Sequence, residues 1–238
     1  MMLYQLDSFD ITFPDPCFAL EEPNGLLAIG GDLSVERLIN AYHHGIFPWF
    51  NDDEPLLWWS PDPRCILDLE DFHLSKSFQK FLRKTPLRLT INKHFEGVIE
   101  GCTKPRRTES GTWINPAMIT AYQALHQRGF AHSIEVWDQD RLVGGLYGIL
   151  VGGCFCGESM FHTEPNASKL ALAGLVYHLK RHGGEFIDCQ ITNNHLVSLG
   201  AKEITRARFL RKLEHAKQCD IPAEVWQPQE LNLLHDQL

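Results

Sequence analysis

Apolar positions along this chain change period several times, and the changes mark its elements. The spacing over Val35–His43 predicts a short amphipathic helix, with Ser34 as N-cap and Gly45 just beyond its end. Helical spacing recurs at Lys76–Lys84, Phe95–Cys102, Pro116–Gln127, Ser168–His182 and Ala207–Lys217, with a short helix over Asn194–Leu199. Asn115 is placed to cap the third of these, and Pro116 occupies its first turn. Strand-like runs rich in β-branched and aromatic residues fall at Cys65–Leu69, Leu87–Ile91, Ser133–Trp137, Leu142–Leu150, Cys154–Phe161 and Glu185–Thr192. Asp138-Gln-Asp-Arg141 reads as a hairpin connection, and Gly152-Gly153 as the next turn.

Before residue 64 the pattern is different. Pro14, Pro16, Pro23, Gly25, Gly30 and Gly31 break the chain into loops, and an aromatic and proline cluster runs from Phe47 to Pro63. Pro61 and Pro63 bar a regular helix there and make a natural boundary. Residues 1–63 are therefore expected to form a small N-terminal domain, and residues 64–238 a larger mixed α/β (α+β) domain. The order of the second part, a β-meander, a long helix, a strand, a short helix and a return segment, is that of the N-acetyltransferase-like fold. Its usual glycine-rich pyrophosphate loop is missing, because the junction before the long helix reads His162-Thr-Glu-Pro-Asn-Ala-Ser168. A CoA cofactor is accordingly not expected.

Two strands carry polar groups where a buried strand should be apolar. Asp188 and Gln190 sit two residues apart in the Glu185–Thr192 run, so regular alternation would send both side chains to one face. Glu158 follows Gly157 near the end of the Cys154–Phe161 run. Burying such groups without partners is costly. The Asp-x-Gln pair alone is equally readable as a cap on a neighbouring loop. With Glu158 added, two polar strand ends one helix apart point to a shared cleft, and all three are candidate catalytic residues.

The 238 residues carry a net charge of −8, which does not advertise general nucleic-acid binding. The distribution is uneven, however. Lys202, Arg206, Arg208, Arg211, Lys212 and Lys217 cluster near the C-terminus, Lys104, Arg106 and Arg107 share a loop, and Arg83, Lys84 and Arg88 form a third group. Solvated helix faces explain such clusters as readily as a polyanion does. Seven scattered cysteines are an odd count, which disfavours a disulfide framework and fits a reducing cytoplasm. Cys154 and Cys156 near His162 lack a second ligand pair, so no metal is expected. No apolar run reaches membrane-spanning length, and the first residues lack the pattern of a signal peptide, so no membrane partner is expected. Gly157-Glu-Ser-Met-Phe161 lacks the second glycine of a serine-hydrolase nucleophile elbow.

Seven segments in order resemble the leucyl/phenylalanyl-tRNA–protein transferase family: Glu22-Pro-Asn-Gly-Leu-Leu-Ala-Ile-Gly-Gly-Asp-Leu-Ser34, Gly45-Ile-Phe-Pro-Trp-Phe50, Trp58-Trp-Ser-Pro-Asp-Pro-Arg64, Gly111-Thr-Trp-Ile114, His132-Ser-Ile-Glu-Val-Trp137, Phe155-Cys-Gly-Glu-Ser-Met-Phe161 and Ile187-Asp-Cys-Gln190. The resemblance covers residues 13–212. It implies an enzyme that moves Leu or Phe, with Met as a third candidate, from aminoacyl-tRNA to proteins beginning with Arg or Lys, marking them for the N-end rule route.

The resemblance also places Trp49 and Trp113 at the terminal adenosine of the tRNA, with Tyr42 and Tyr122 lining the same region and Asn193 near the ribose. It implies an aminoacyl pocket of Leu146, Phe155, Met160, Leu172, Leu175 and Ile187. Leu146 and Leu175 depart from the family pattern, where Met and Phe are common, which bears on the Leu-to-Phe preference. The candidate phosphate contacts are Lys104, Arg106, Arg107, Arg206, Arg208, Arg211 and Lys212. Ester aminolysis needs no metal, ATP or other cofactor, only a neutral amine and help with its proton. Gln190 would position the amine, Asp188 would orient Gln190, and Glu158 would hold an amino group or the acceptor's positive end. Two rival readings remain, an acyl-CoA-dependent N-acetyltransferase and a non-catalytic RNA-binding module.

Overall fold

The computed structural model describes residues 3–104 and 114–232. In chain order the elements are β1 (Tyr4–Leu6), β2 (Leu26–Gly30), α1 (Val35–His43), β3 (Phe47–Pro48), β4 (Leu57–Trp59), β5 (Arg64–Asp68), α2 (Lys76–Leu82), β6 (Arg88–Ile91), α3 (Phe95–Thr103) and α4 (Pro116–Gln127). They continue with β7 (Ala131–Asp138), β8 (Arg141–Val151), β9 (Cys154–His162), α5 (Ala167–Arg181), β10 (Phe186–Gln190), α6 (Asn194–Val197), β11 (Lys202–Ile204), α7 (Arg206–Ala216) and β12 (Gln229–Leu231). Strands β1, β2, β4 and β3 make a small sheet, and the other eight make a large one in the order β11-β5-β10-β9-β8-β7-β6-β12. None of the described helices is long and apolar enough to cross a membrane.

Local chemistry explains most boundaries. The side chains of Ser34, Ser75, Asn115 and Thr205 accept from backbone N–H groups in the first turns of α1, α2, α4 and α7, satisfying donors that a helix start leaves open. At Gly45 (φ +71°) an added Cβ would lie 2.7 Å from the Phe209 ring, so the turn after α1 needs both the left-handed backbone and the missing side chain. The strands of the small sheet, with β11 and β12, are not evident from periodicity. They hold two to five residues each, too few to show an alternation.

The large sheet is buried on both faces, which is why its central strands read as nearly continuous apolar runs. Phe186, Cys154, Cys156 and Ile66 face one core cluster, and Ile187, Phe155, Cys65 and Leu67 face the other. The first cluster passes through residues on both sides of position 63, joining Leu27, Leu38, Tyr42 and Trp58 to Tyr122, Tyr147 and Phe209. The second packs the sheet against α5 through Leu172, Leu175 and Val176.

Two irregularities set up the site. Parallel pairing of β10 with β9 extends from Phe186↔Cys154 to Asp188↔Cys156, although β9 runs on to His162 beside β8. The register of β9 against β8 also slips, because Tyr147 faces Ser159 while Gly148 faces Gly157, which leaves Glu158 as an extra residue. A second slip between β10 and β5 leaves Cys189 extra between Asp188↔Ile66 and Gln190↔Cys65. Both bulges lie where the two strands part.

Candidate active site

A cavity of about 670 Å³ opens at that parting. Leu146, Phe155, Met160, Leu172, Leu175 and Ile187, which come from β8, β9, α5 and β10, all line it. Its other walls include Phe47, Pro48 and Trp49 from the first part of the chain, and Asn193, Asn194, His195 and Leu196 around α6. The cavity thus has an apolar floor and an aromatic wall, with polar groups between. Gly157 keeps the space above Ile187 open rather than serving a tight backbone approach, since a Cβ there would meet Ile187 at an ordinary 3.7 Å.

Glu158 supplies the main ionisable group. Its Oε2 accepts from the Tyr122 hydroxyl at 2.8 Å, and Tyr122 is in turn 2.5 Å from the hydroxyl of Tyr42. Its Oε1 is shielded from solvent and has no hydrogen-bond partner among the described residues. Burial, opposed by the nearby Tyr42 and Tyr122 hydroxyls, pushes the carboxyl up to about 7. Burial first, and then the charge of Glu158, holds Tyr42, Tyr122 and Tyr147 well above the ordinary phenol range. The three phenols stay protonated while Glu158 is poised to titrate near neutrality.

Regular alternation would put Asp188 and Gln190 on one face, and the structure does not. Gln190 has a left-handed backbone (φ +55°), and the bulge turns its side chain into the cavity. Asp188 is fully buried away from it, where its two oxygens accept from Arg64 Nε at 2.8 Å and Nη2 at 2.7 Å. Asp188 Oδ1 also accepts from the backbone N–H of Gln190 at 3.1 Å. Asp188 therefore orients Gln190 through the main chain rather than through its amide. The Gln190 Nε2 is buried without a partner among the described residues, and Gln190 lines the cavity together with Glu158.

Arg64 is the residue that pattern reading passes over. It donates through Nη1 to the Gly45 carbonyl at 3.0 Å, and its guanidinium lies 4.9 Å from the Phe47 ring and 4.4 Å from that of Phe209. Burial works against its charge, but the Asp188 carboxylate outweighs this and raises the Arg64 pKa. One buried arginine thus locks the Phe47–Trp49 wall to the strand that carries Gln190. A signal was available, since an arginine stands directly between Pro61-Asp-Pro63 and the apolar run Cys65-Ile-Leu67.

Trp49 is 42% exposed at the cavity edge, its ring edge-on to Trp59 at 5.7 Å, and Trp59 Nε1 donates to the Trp49 carbonyl at 2.7 Å. Tyr42 and Tyr122 are buried behind Glu158 rather than on the cavity surface. Asn193 uses its side chain to cap α6, accepting from the Leu196 N–H at 2.9 Å. Trp113, Arg106 and Arg107 lie outside the described residues. Lys104, Arg208 and Arg211 are exposed. Two other basic candidates have internal contacts: Arg206 Nη1 donates to the Ser60 carbonyl at 2.6 Å, and Lys212 pairs with Asp68 at 3.0 Å.

Comparison with known proteins settles the family. A model of the leucyl/phenylalanyl-tRNA protein transferase matches residues 66–214, and one of that family's N-terminal domain matches residues 31–62. The chain belongs to this family. A leucyl/phenylalanyl-tRNA–protein transferase of Pseudoalteromonas atlantica is 58% identical over 229 residues, covering 96% of this chain and 97% of that protein. The transferase of the same name from Yersinia enterocolitica is 54% identical, with 98% of each chain covered. Among solved structures, L-PGS from Bacillus licheniformis is similar at 13% identity and a TM-score of 0.38, over 86% of this chain and 66% of that one. That likeness carries no argument here.

Proposed function

We propose that this protein transfers leucine or phenylalanine, and methionine as a third substrate, from aminoacyl-tRNA to the α-amino group of proteins that begin with Arg or Lys. In this reading the products enter the N-end rule route in the cytoplasm. Family membership supports the transfer reaction. The observation that carries the chemistry is that Glu158 and Gln190, each with a buried polar atom unpartnered among the described residues, both line one largely apolar cavity. Such groups are costly to bury unless a ligand satisfies them. The small sheet and α1 support a division into residues 1–63 and 64–238, and the strand and helix order of the second part supports an N-acetyltransferase-like domain.

The aminoacyl side chain occupies the apolar floor, which includes a flexible methionine, Met160, able to conform to flat or unbranched groups. Trp49 stacks on the terminal adenine, and Lys104, Arg208 and Arg211, with Arg106 and Arg107, meet phosphates without reading sequence. Gln190 holds the incoming amine against the ester carbonyl, and Asp188 with Arg64 fixes the bulge that aims it. The N–C bond forms, the ester C–O bond breaks, and the ribose oxygen leaves as a hydroxyl. The proton shed by the amine passes through Glu158 to that oxygen, so Glu158 ends the cycle as it began. The Glu158 carboxylate also favours a basic acceptor end.

Two results test the assignment of walls. Trp49→Ala is expected to weaken aminoacyl-tRNA binding by ~1–3 kcal/mol, the usual worth of one stacked base. KM for Leu-tRNA should rise by that equivalent with little change in kcat, and an unchanged KM would remove Trp49 from the adenosine site. In the pocket, Leu175→Phe reduces the space and should shift the ratio of kcat/KM for Leu-tRNA over Phe-tRNA towards leucine by ~1–3 kcal/mol. A ratio that does not move would place the side chain elsewhere.

A further inference from the structure

The floor of the apolar cavity has a second layer behind it. Phe155 lines the cavity, and the ring of Trp226 is stacked with it at 6.1 Å between centroids and 20° between planes, within the range over which aromatic pairs attract. Trp226 is buried and is not among the residues that line this cavity, so it meets Phe155 from behind. The Phe155 ring also lies over Gly148 of β8, where an added Cβ would come within 2.5 Å of it. Three elements grip the indole. His132 of β7 is stacked with it at 4.2 Å and 16°, and His178 of α5 meets it edge-on at 4.7 Å. The Trp226 carbonyl accepts from Asn92 Nδ2, next to β6, at 2.6 Å, and Asn92 Oδ1 accepts from the Ser133 N–H at 2.8 Å. Burial pushes His132 down to about 3 and His178 down to about 4, so both rings are neutral and pack as apolar faces. Trp226 Nε1 is buried with no hydrogen-bond partner among the described residues, so the position uses the bulk of the indole rather than its donor. Trp226, His132 and Asn92 also line a second cavity of about 300 Å³. The indole therefore stands between that space and Phe155.

We propose that Trp226 is a positioning residue that sets substrate selectivity, fixing from behind Phe155 how large an aminoacyl side chain the cavity accepts. The proposal rests on the reading of this cavity as the aminoacyl pocket. With the indole in place Phe155 cannot retreat, because the space behind it is filled by a ring held from three sides. Truncating Trp226 joins the vacated volume to the second cavity, and the surrounding structure closes only part of such a gap. Phe155 then has room to move back, and the pocket deepens. A leucyl group is too small for the deeper pocket and loses contacts, whereas a phenylalanyl group fills it. Transfer of the two amino acids should therefore change unequally, which a general loss of stability does not produce.

Full-length Trp226→Phe, Trp226→Leu and Trp226→Ala are assayed with Leu-tRNA and Phe-tRNA on one peptide beginning with Arg, with kcat and KM measured separately. The ratio of kcat/KM for Phe-tRNA over Leu-tRNA should rise through the series. In the Ala variant it should reach about tenfold, the lower end of what one methylene-sized misfit in an apolar pocket is worth, carried mainly by KM for Leu-tRNA. Trp226→Phe gives up no hydrogen bond of the indole N–H seen among the described residues, so it should fold and report a smaller shift in the same direction even if the other two do not. The ratio of Kd for amide-linked phenylalanyl-adenosine and leucyl-adenosine measures the same selectivity without chemistry. Activity that falls equally with both tRNAs, at an unchanged ratio in every variant that folds, would make Trp226 a core residue only and overturn the proposal. So would a ratio that moves towards leucine. If the wild-type protein binds the adenosine analogues but transfers nothing, the transferase reading fails, while the Kd ratio still decides the role of Trp226.

Discussion

Glu158→Gln is expected to lower the transfer rate above neutral pH by at least about 10²-fold, the lower end of what a positioned proton acceptor supplies. The amide keeps the shape and can still accept from Tyr122, so the loss isolates the charge and its basicity. The sign of the pH dependence follows from burial. Glu158 carries its charge only above about 7, so wild-type transfer should fall as pH drops through that value and level off above it. The acceptor amine titrates separately, at about 7.7–8.0 in an unperturbed terminus, and this limb should survive in the variant while the one near 7 disappears. The charged and titratable groups around Glu158 are Tyr42, Tyr122, Tyr147, Asp188 and Arg64, of which the phenols stay neutral in this range. A profile unchanged in shape would leave Glu158 as a contact rather than the proton acceptor.

The same shift has a stability consequence of fixed sign. Folded Glu158 holds its proton to about 7, whereas the unfolded side chain releases it near its ordinary value of 4.5. Between those values the native state binds more protons. Stability from this group is therefore full below the lower value and lost as pH rises through the upper one. Glu158→Gln should flatten that part of the curve.

Asp188→Ala should produce the largest loss of stability, about 3–5 kcal/mol, because it leaves Arg64 charged and buried with no counter-ion. The Arg64–Asp188 pair is sealed from water, with both side chains 1% exposed. Denaturant unfolding would show the change as a lower midpoint at similar slope. Joint replacement of Arg64 by Met and Asp188 by Leu removes both charges and should recover most of it. The double variant should still transfer poorly, by roughly 10²-fold, since nothing then fixes the Gln190 bulge. An Asp188→Ala protein within about 1 kcal/mol of wild type would mean that the buried pair is not what holds the cavity wall.

These expectations show what was legible in the sequence. The helices and the long strands followed from periodicity because each runs for several turns or alternations, and capping residues marked starts at Ser34 and Asn115. Glu158 and Gln190 stood out as polar residues inside strand patterns, and the structure brings both to one cavity with the six apolar residues implied by resemblance. The divergence of Asp188 from Gln190 was not legible, because a one-residue bulge reverses every alternation argument beyond it. Arg64 escaped for a related reason. Its partner is 124 positions away in the sequence, and a period-based reading sees only neighbours. Tyr42 and Tyr122 were expected along the adenosine wall and are found behind it, Tyr122 donating to the Glu158 carboxylate and Tyr42 hydrogen-bonded to Tyr122, because α1 and α4 pack their tyrosines into a common core.

The most direct measurement is transfer of labelled leucine from Leu-tRNA to a peptide beginning with Arg, beside the same peptide beginning with Ala. Wild-type protein and Glu158→Gln should be run together, with the tRNA bound to comparable occupancy. Label should appear on the Arg peptide, at a rate well above that for the Ala peptide, and should fall by about two orders of magnitude in the variant. Tight tRNA binding with no label on either peptide would contradict the account and leave a protein that binds aminoacyl-tRNA without using it.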